Sequence, residues 1–112
     1  MNYKKIKDFY IFSTAKSTLD EDFVFEIENF KNKKGFQFAI DCKKIENIAS
    51  KKVSDFIFKN KIALFGTNTD FLLQLNLLSG NNICDIYLNF EDCISKKRKF
   101  IKRNFRLIKK SR

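Results

Sequence analysis

Few side chains in this chain are suited to catalysis. None of its 112 residues is a histidine, so proton transfer or nucleophilic attack would depend on carboxylates, cysteines, lysines or serines. Asp41 ends an apolar run, at a position where α/β proteins place functional groups, although a hydrogen bond to the following loop is its plainer role. Glu91 and Asp92 form a pair, but the first turn of a helix attracts acids through its dipole alone. The stretch FGTNTD lacks the lysine and glycines of a phosphate-binding loop. We therefore expect a protein that is not an enzyme.

The cysteines give no sign of a metal or redox centre. Cys42, Cys84 and Cys93 form no C-x-x-C pair, and without histidine no zinc ligand set is spaced along the chain. Buried small hydrophobic side chains are their plainer role, and a reactive thiol is the alternative. An odd number of cysteines without a signal peptide fits reduced thiols in the cytoplasm. We expect no cofactor and no metal. The apolar runs are too short to cross a bilayer.

Basic charge is concentrated at the C-terminal end. The chain has 23 basic and 13 acidic residues, a formal net charge of +10. Residues 96–112 hold ten of the basic residues and no acid, so residues 1–95 are neutral. The sequence thus divides into a body at 1–95 and a basic tail at 96–112.

Apolar runs and capping signals in the body predict alternating strands and helices. The runs FYIF, FQFAIDC, KIALFG and ICDIYL predict four strands. Between the first two, Leu19, Phe23 and Ile27 recur at helical spacing, with Thr18 and Glu21 as a capping box and Gly35 beyond the helix end. The alternation of Phe23, Phe25 and Ile27 would instead suit a β-hairpin over residues 23–40; we favour the helix.

Three further helices follow the later strands. Ser50 is a plausible N-cap for a short helix with Val53, Phe56 and Ile57 inward. A leucine-rich helix begins near Thr67–Thr69 and ends before Gly80, and Asn89 with Asp92 caps a final helix. Strand and helix thus alternate four times, which predicts a single small α/β domain with a mainly parallel or mixed sheet of four or more strands. Its buried residues are expected to include Ile40, Ile62, Leu64, Leu75, Ile83 and Ile86.

Residues 8–95 resemble the STAS domain, the module of bacterial anti-sigma-factor antagonists that also occurs in sulfate transporters and lipid-transport ABC complexes. The resemblance rests on FQFAIDCKKIENIAS, KIALFGTNTDFLLQLNLLSG and ICDIYLNFEDCIS, which match the apolar pattern of the family's later strands and helices. It implies a non-catalytic, cytoplasmic docking module that binds another protein, such as a regulatory kinase-like partner or a transporter subunit.

The loop before the second helix departs from the family. Antagonists usually read Asp-Ser-Ser-Gly there, and phosphorylation of one serine switches partner binding. Here the sequence reads Ala49-Ser50-Lys51-Lys52, so the preceding acid and following glycine are absent. The resemblance implies a partner loop of Asp41, Ser50, Lys51 and Lys52. A phosphate on Ser50 would meet a helix N-terminus and two lysines; a plain N-cap is the alternative.

On a helix, the tail would place Phe100, Ile101, Phe105 and Ile108 on one side, with basic residues around them. The segment could cover the body with this apolar stripe. It could also lie on an anionic membrane at the inner face, bind nucleic acid through phosphates, or dock on an acidic protein. The principal alternative function is therefore a small nucleic-acid-binding protein that acts through the tail. The predicted anion-binding residues are Lys96, Lys97, Arg98, Lys99, Lys102, Arg103, Arg106, Lys109 and Lys110.

Overall fold

A five-stranded sheet forms the centre of the molecule, and helices pack on both of its faces. The computed structural model describes residues 2–30, 37–79 and 85–95. The strands of the main sheet are β1 (Asn2–Ile6), β2 (Phe9–Ser13), β4 (Gln37–Asp41), β6 (Ala63–Phe65) and β7 (Ile86–Tyr87). A second, two-stranded ladder joins β3 (Thr18–Leu19) to β5 (Asn47–Ile48). The helices are α1 (Glu21–Glu28), α2 (Lys51–Lys59), α3 (Thr69–Ser79) and α4 (Phe90–Ser95).

The sheet is mixed, with strand order β1-β2-β4-β6-β7. β2, β4, β6 and β7 run parallel to one another, as expected for strands joined by helical crossovers. The hairpin alternative for residues 23–40 is wrong, because α1 lies between β2 and β4, which are parallel. β1 was not predicted; it pairs antiparallel with β2 through a tight turn in which Lys7 adopts a φ of 52°.

The helix starts follow local capping, but two of the caps predicted for α1 are wrong. Asp20 is the N-cap of α1, since the Phe23 amide donates to its Oδ1 at 3.0 Å. The predicted capping box is wrong because Thr18 belongs to β3. Gly35, outside the described residues, is not the helix cap either, since α1 ends at Glu28 with Asn29 as its C-cap.

Asparagines cap two of the other helices. The Phe71 amide donates to Asn68 Oδ1 at 2.8 Å at the start of α3. The Asp92 amide donates to Asn89 Oδ1 at 2.9 Å, as predicted for α4. Gly80 lies outside the described residues.

Two hydrophobic clusters lie on opposite faces of the sheet. The front cluster joins α1, α2 and α3 to inward side chains of the strands, among them Phe12, Ile40 and Leu64. The back cluster comprises Phe9, Ile11, Ala39, Ala63, Phe65, Tyr87 and Cys93, with Phe90 and Ile94 of α4 packed against it. This division follows from the alternation of side chains along each strand.

The predicted core is confirmed where the structure describes it. Ile40, Ile62, Leu64, Leu75 and Ile86 are buried, and Ile83 lies outside the described residues. Cys42 and Cys93 are buried, and Cys84 is also outside the described residues. In the part of the chain that is described, no helix combines the length and apolar character needed to cross a membrane.

Candidate docking site

Asp41, at the carboxyl end of β4, shapes the loop that follows it. Its Oδ1 accepts the Lys43 amide at 3.0 Å, which is the plainer of the two predicted roles. The side chain also lines a polar cleft of about 280 Å³ together with Lys43 and Lys44. Gly66 passes close by with a φ of +70°, and a Cβ built on it would lie 3.6 Å from Asp41 Oδ1. Asp41 therefore stabilises the loop that follows the central strand of the sheet.

Tertiary hydrogen bonds fix the loop between β4 and α2. The Ala49 amide donates to the Leu19 carbonyl at 3.0 Å, beside the β3–β5 ladder. From α3, Gln74 accepts the Ile48 amide on Oε1 and donates to the Glu46 carbonyl through Nε2, both at 3.0 Å. The backbone leading to α2 is thus anchored on two sides, which determines where Ser50 lies.

Ser50 occupies the N-cap position of α2, but its hydroxyl does not cap the helix. The residue has extended backbone angles and makes no side-chain capping hydrogen bond. Its Oγ is buried and has no partner among the described residues. One turn later, Ser54 is fully buried with an Oγ that likewise has no partner in this part of the structure. Two unpaired hydroxyls therefore lie beneath the first turn of α2.

The two lysines after Ser50 take part in weak ion pairs at the surface. Lys51 Nζ lies 3.3 Å from Asp55 Oδ2 within α2, and Lys52 Nζ lies 3.8 Å from Glu21 Oε1 at the start of α1. All four side chains are well exposed, so each pair contributes little to stability. The Lys52–Glu21 pair nevertheless shows that the N-terminal ends of α1 and α2 are adjacent.

An open apolar groove of about 420 Å³ runs between these two helices. Phe25 projects into solvent beside it, with 69% of its surface exposed, while Phe56 on the other side is half-buried. The lining residues are Glu21, Val24, Phe25, Glu28, Lys52, Val53 and Phe56. Lys52 is thus the member of the predicted partner loop that contributes to the groove, whereas Asp41 lines the separate polar cleft.

This groove was not predicted from the sequence, although one signal for it was present. Once α1 is a helix with Phe23 and Ile27 inward, Phe25 must point outward. Together with Phe56 across the groove it forms an exposed apolar patch, which is the informative signal. Phe56 was predicted to point inward, and it packs partly against the front cluster while also lining the groove.

The α1 side of the groove is acidic. The helix carries Glu21, Asp22, Glu26 and Glu28 and no basic residue. Asp20 precedes the helix, and the hydrogen bond from the Phe23 amide holds the pKa of the Asp20 carboxyl below its usual value. The nearby Lys16 also lowers this pKa. The site therefore presents an apolar centre beside a negative ridge. The described residues contain no cluster of His, Cys, Asp and Glu able to hold a metal.

The predicted anion-binding lysines and arginines, from Lys96 to Lys110, lie outside the described residues. Their role stays a prediction, as does that of Ser50 in partner binding.

The mixed sheet, with three helices in front and α4 behind, is the architecture of a STAS domain, and comparison with solved structures agrees. The chain is similar to a serine-to-glutamate variant of RsbS from Moorella thermoacetica, with 18% identity and a TM-score of 0.62 over 85% of this chain and 92% of that one. It is also similar to a chain in the structure titled as the molecular architecture of the stressosome, a signal integration and transduction hub. That match has 16% identity and a TM-score of 0.56 over 85% and 94% of the two chains. No protein-family model and no curated protein matches the sequence. The chain thus has the STAS fold.

Proposed function

We propose that this protein is a non-catalytic docking module of the STAS type that binds a regulatory protein partner through the groove between α1 and α2. The observation that carries the proposal is the exposed Phe25 beside an apolar groove, next to the loop where the STAS resemblance implies partner binding. The similarity to a chain of a signal integration and transduction hub supports a signalling role. The reduced cysteines expected from the sequence support a cytoplasmic location. A kinase-like regulator or a transporter subunit is the partner class that the resemblance implies.

The chemistry of the groove specifies the kind of segment it would bind. An aromatic or aliphatic side chain would fill the space between Phe25 and Phe56, because burying exposed apolar surface is the main gain on association. The acids of α1 would favour a partner with lysines or arginines flanking that anchor. We propose an amphipathic, basic helix of the partner, lying along the groove with its apolar side inward.

Ser50 offers a way to control docking. A phosphate cannot occupy the buried, partnerless position of the Ser50 hydroxyl without moving the first turn of α2. A phosphate exposed at the surface would attract the ammonium groups of Lys51 and Lys52. It would draw Lys52 away from Glu21, whose Oε1 lies 3.8 Å from Lys52 Nζ in the unmodified protein. The mouth of the groove would then change shape and charge. Ser50→Asp is expected to weaken partner binding, while Ser50→Ala leaves it intact.

The experiment is quantitative capture of partners from lysate of the native host with three forms of the chain. Phe25→Ser removes the groove's exposed aromatic, and Leu77→Ser is the matched control, because Leu77 is 74% exposed on α3, away from the groove. A protein that is retained by the wild type and by Leu77→Ser but lost with Phe25→Ser supports the proposal. Equal retention by all three forms contradicts it.

Nuclease treatment of the same lysate tests the second candidate, a nucleic-acid-binding protein that acts through the basic tail. The segregation of ten basic residues into residues 96–112 favours this candidate. If all captured material disappears after nuclease, tail-mediated nucleic-acid binding replaces groove docking. Binding through phosphates should also fall steeply as salt rises, whereas apolar docking should not.

A further inference from the structure

The polar cleft beside Asp41 lies at the carboxyl ends of two neighbouring parallel strands. β2 ends at Ser13 and β4 ends at Asp41, and the register of the sheet pairs these two residues. The cleft shares no lining residue with the groove between α1 and α2. Apart from Ala15, every residue that lines it has a polar side chain: Asn2, Ser13, Thr14, Asp41, Lys43 and Lys44. The cleft thus has the position at which α/β proteins bind ligands, beyond the carboxyl ends of the strands.

Lys43 and Lys44 are held at the cleft by the buried residues on either side of them. Cys42 and Ile45 are both fully buried, and the Cys42 amide donates to the Phe65 carbonyl at 2.9 Å. The Ile45 amide donates to the Cys42 carbonyl at 3.0 Å, so the backbone makes a tight turn through the two lysines. Because this turn is already formed, a ligand would need to order little backbone when it binds.

The positive charges of these two lysines are not offset by neighbouring acids. Both side chains are exposed, and neither forms an ion pair with an acid in the part of the chain that the structure describes. By contrast, Lys16, Lys51 and Lys52 each have a carboxylate oxygen within 3.8 Å. An anion bound between Lys43 and Lys44 would offset the repulsion between their ammonium groups and accept charge-assisted hydrogen bonds from both.

The cleft also offers neutral donors and one acceptor. Thr14 Oγ1 accepts the Lys16 amide at 3.2 Å, which leaves the hydroxyl hydrogen of Thr14 available to a ligand, and Ser13 adds a second hydroxyl. Asp41 Oδ1 accepts the Lys43 amide at 3.0 Å, whereas Oδ2 accepts no hydrogen bond from the described residues. A carboxylate here repels a bare anion but can accept a hydrogen bond from a hydroxyl group. The cleft therefore favours a ligand that carries both an anionic group and a hydroxyl.

We propose that this cleft binds a small phosphorylated polyol. The phosphate contacts the ammonium groups of Lys43 and Lys44, and the hydroxyls of Ser13 and Thr14 donate to it. Phosphate suits this set of donors better than a carboxylate, because it presents three strong acceptor oxygens. A hydroxyl of the same molecule donates to Asp41 Oδ2. This site is independent of the proposed docking groove, so either proposal can fail without the other.

NMR titration of the isotope-labelled, full-length protein tests the site. Glycerol phosphate is the probe, and inorganic phosphate and glycerol are used separately to represent its two parts. Salt at roughly 0.15 M, where the Debye length is about 8 Å, screens lysines and arginines that are distant from the cleft. The expected result is saturable shifts of the Thr14 and Lys43 amide signals, with glycerol phosphate binding more tightly than either of its parts.

Three variants identify the groups that bind. Lys43→Gln combined with Lys44→Gln should weaken binding about tenfold or more, because charge-assisted hydrogen bonds are lost. Lys59→Gln combined with Lys61→Gln is the matched control, since it removes the same charge from two exposed lysines before β6, at the amino ends of the strands. It should change the affinity less than about twofold. Asp41→Asn should strengthen the binding of inorganic phosphate and reduce the preference for glycerol phosphate, because the negative charge is removed.

Any of three results would overturn the proposal. Without saturable shifts at the Thr14 and Lys43 amides, or with shifts only in residues 96–112, the cleft is not the site at which phosphate binds. Equal loss of affinity in the two double-lysine variants would mean that binding reflects overall positive charge. If inorganic phosphate binds the wild type as tightly as glycerol phosphate does, Asp41 recognises no hydroxyl and the ligand is not a phosphorylated polyol.

Discussion

Replacing Ser54 with alanine should stabilise the protein, although most substitutions of buried residues are destabilising. The Ser54 side chain is fully buried, and its Oγ has no hydrogen-bond partner among the described residues. A buried hydroxyl in this state costs roughly 1–3 kcal/mol, because it has lost its hydrogen bonds to water without replacement. Alanine removes that oxygen and is also the better helix former by about 0.5 kcal/mol. The small void left by one oxygen offsets part of the gain, so we expect a net stabilisation of about 1–2 kcal/mol.

Urea unfolding followed by circular dichroism measures this difference directly. The midpoint should rise while the slope of the transition stays the same, because the surface exposed on unfolding does not change. In thermal unfolding, each kcal/mol of this gain corresponds to an increase in Tm of about 4–8 °C for a small domain. Ser54→Thr is the control, since it keeps the hydroxyl and adds a methyl group to a filled site, and it should not stabilise. A loss of more than about 1 kcal/mol in Ser54→Ala would refute the reasoning, because it would show that the hydroxyl has a partner, such as a buried water.

Two further predictions concern pH. The pKa of Asp20 is lowered by the hydrogen bond from the Phe23 amide. The ionised Asp20 carboxylate therefore contributes its full stabilisation when the pH is above 3.8, the pKa of the unfolded state. This contribution is lost as the pH falls through the lower pKa of the folded state. Asp20→Asn should therefore be less stable than the wild type by about 0.5–1 kcal/mol at neutral pH, and urea titrations should show this difference vanish in acid. Burial, followed by the charge of Asp85, raises the pKa of Tyr87 to about 12, from 10.0. The folded state gains stability by keeping this phenol neutral, and that gain is complete below pH 10 and is lost between pH 10 and about 12. Tyr87→Phe has no phenol to ionise, so in an alkaline unfolding titration its midpoint should lie at a higher pH than that of the wild type. Equal midpoints for the two proteins would contradict this cause.

The order of strands and helices could be predicted because its signals are local. Short apolar runs indicate buried strands, and Asn89 caps α4 as the sequence indicates. The cap of α1 could not be assigned this way, since Thr18 is held in β3 by pairing with Asn47, nearly 30 residues away. β1 was missed for a similar reason. Its sequence NYKKI is mostly exposed, and the strand depends on pairing with β2 and on Tyr3, whose ring centroid lies 4.8 Å from that of Phe30.

The candidate site was predictable only in part. The position of Ser50 at the start of α2 follows from the sequence, but the burial of its hydroxyl depends on how α2 meets the β3–β5 ladder. The groove needs two helices placed side by side, which no single segment encodes. In a chain with 14 phenylalanines, the outward position of Phe25 also does not stand out before its helix is known.

The groove and the predicted anion-binding residues belong to different parts of the chain, and this separation limits how they can influence each other. The groove and Ser50 belong to the front layer, whereas Arg103 and Arg106 follow α4 in the sequence, and α4 packs on the back of the sheet. The close-packed strands between the two layers are not a bistable element, so a change at Ser50 has no evident route through the sheet to its back. The two binding events should therefore be energetically independent. Phe25→Ser should reduce partner capture without changing the affinity for anionic vesicles, and neutralising Arg103 and Arg106 should do the reverse. Coupling between the two sets of variants greater than about 0.5 kcal/mol would mean that the groove and the basic segment share a structural element, and the expected independence would then be wrong.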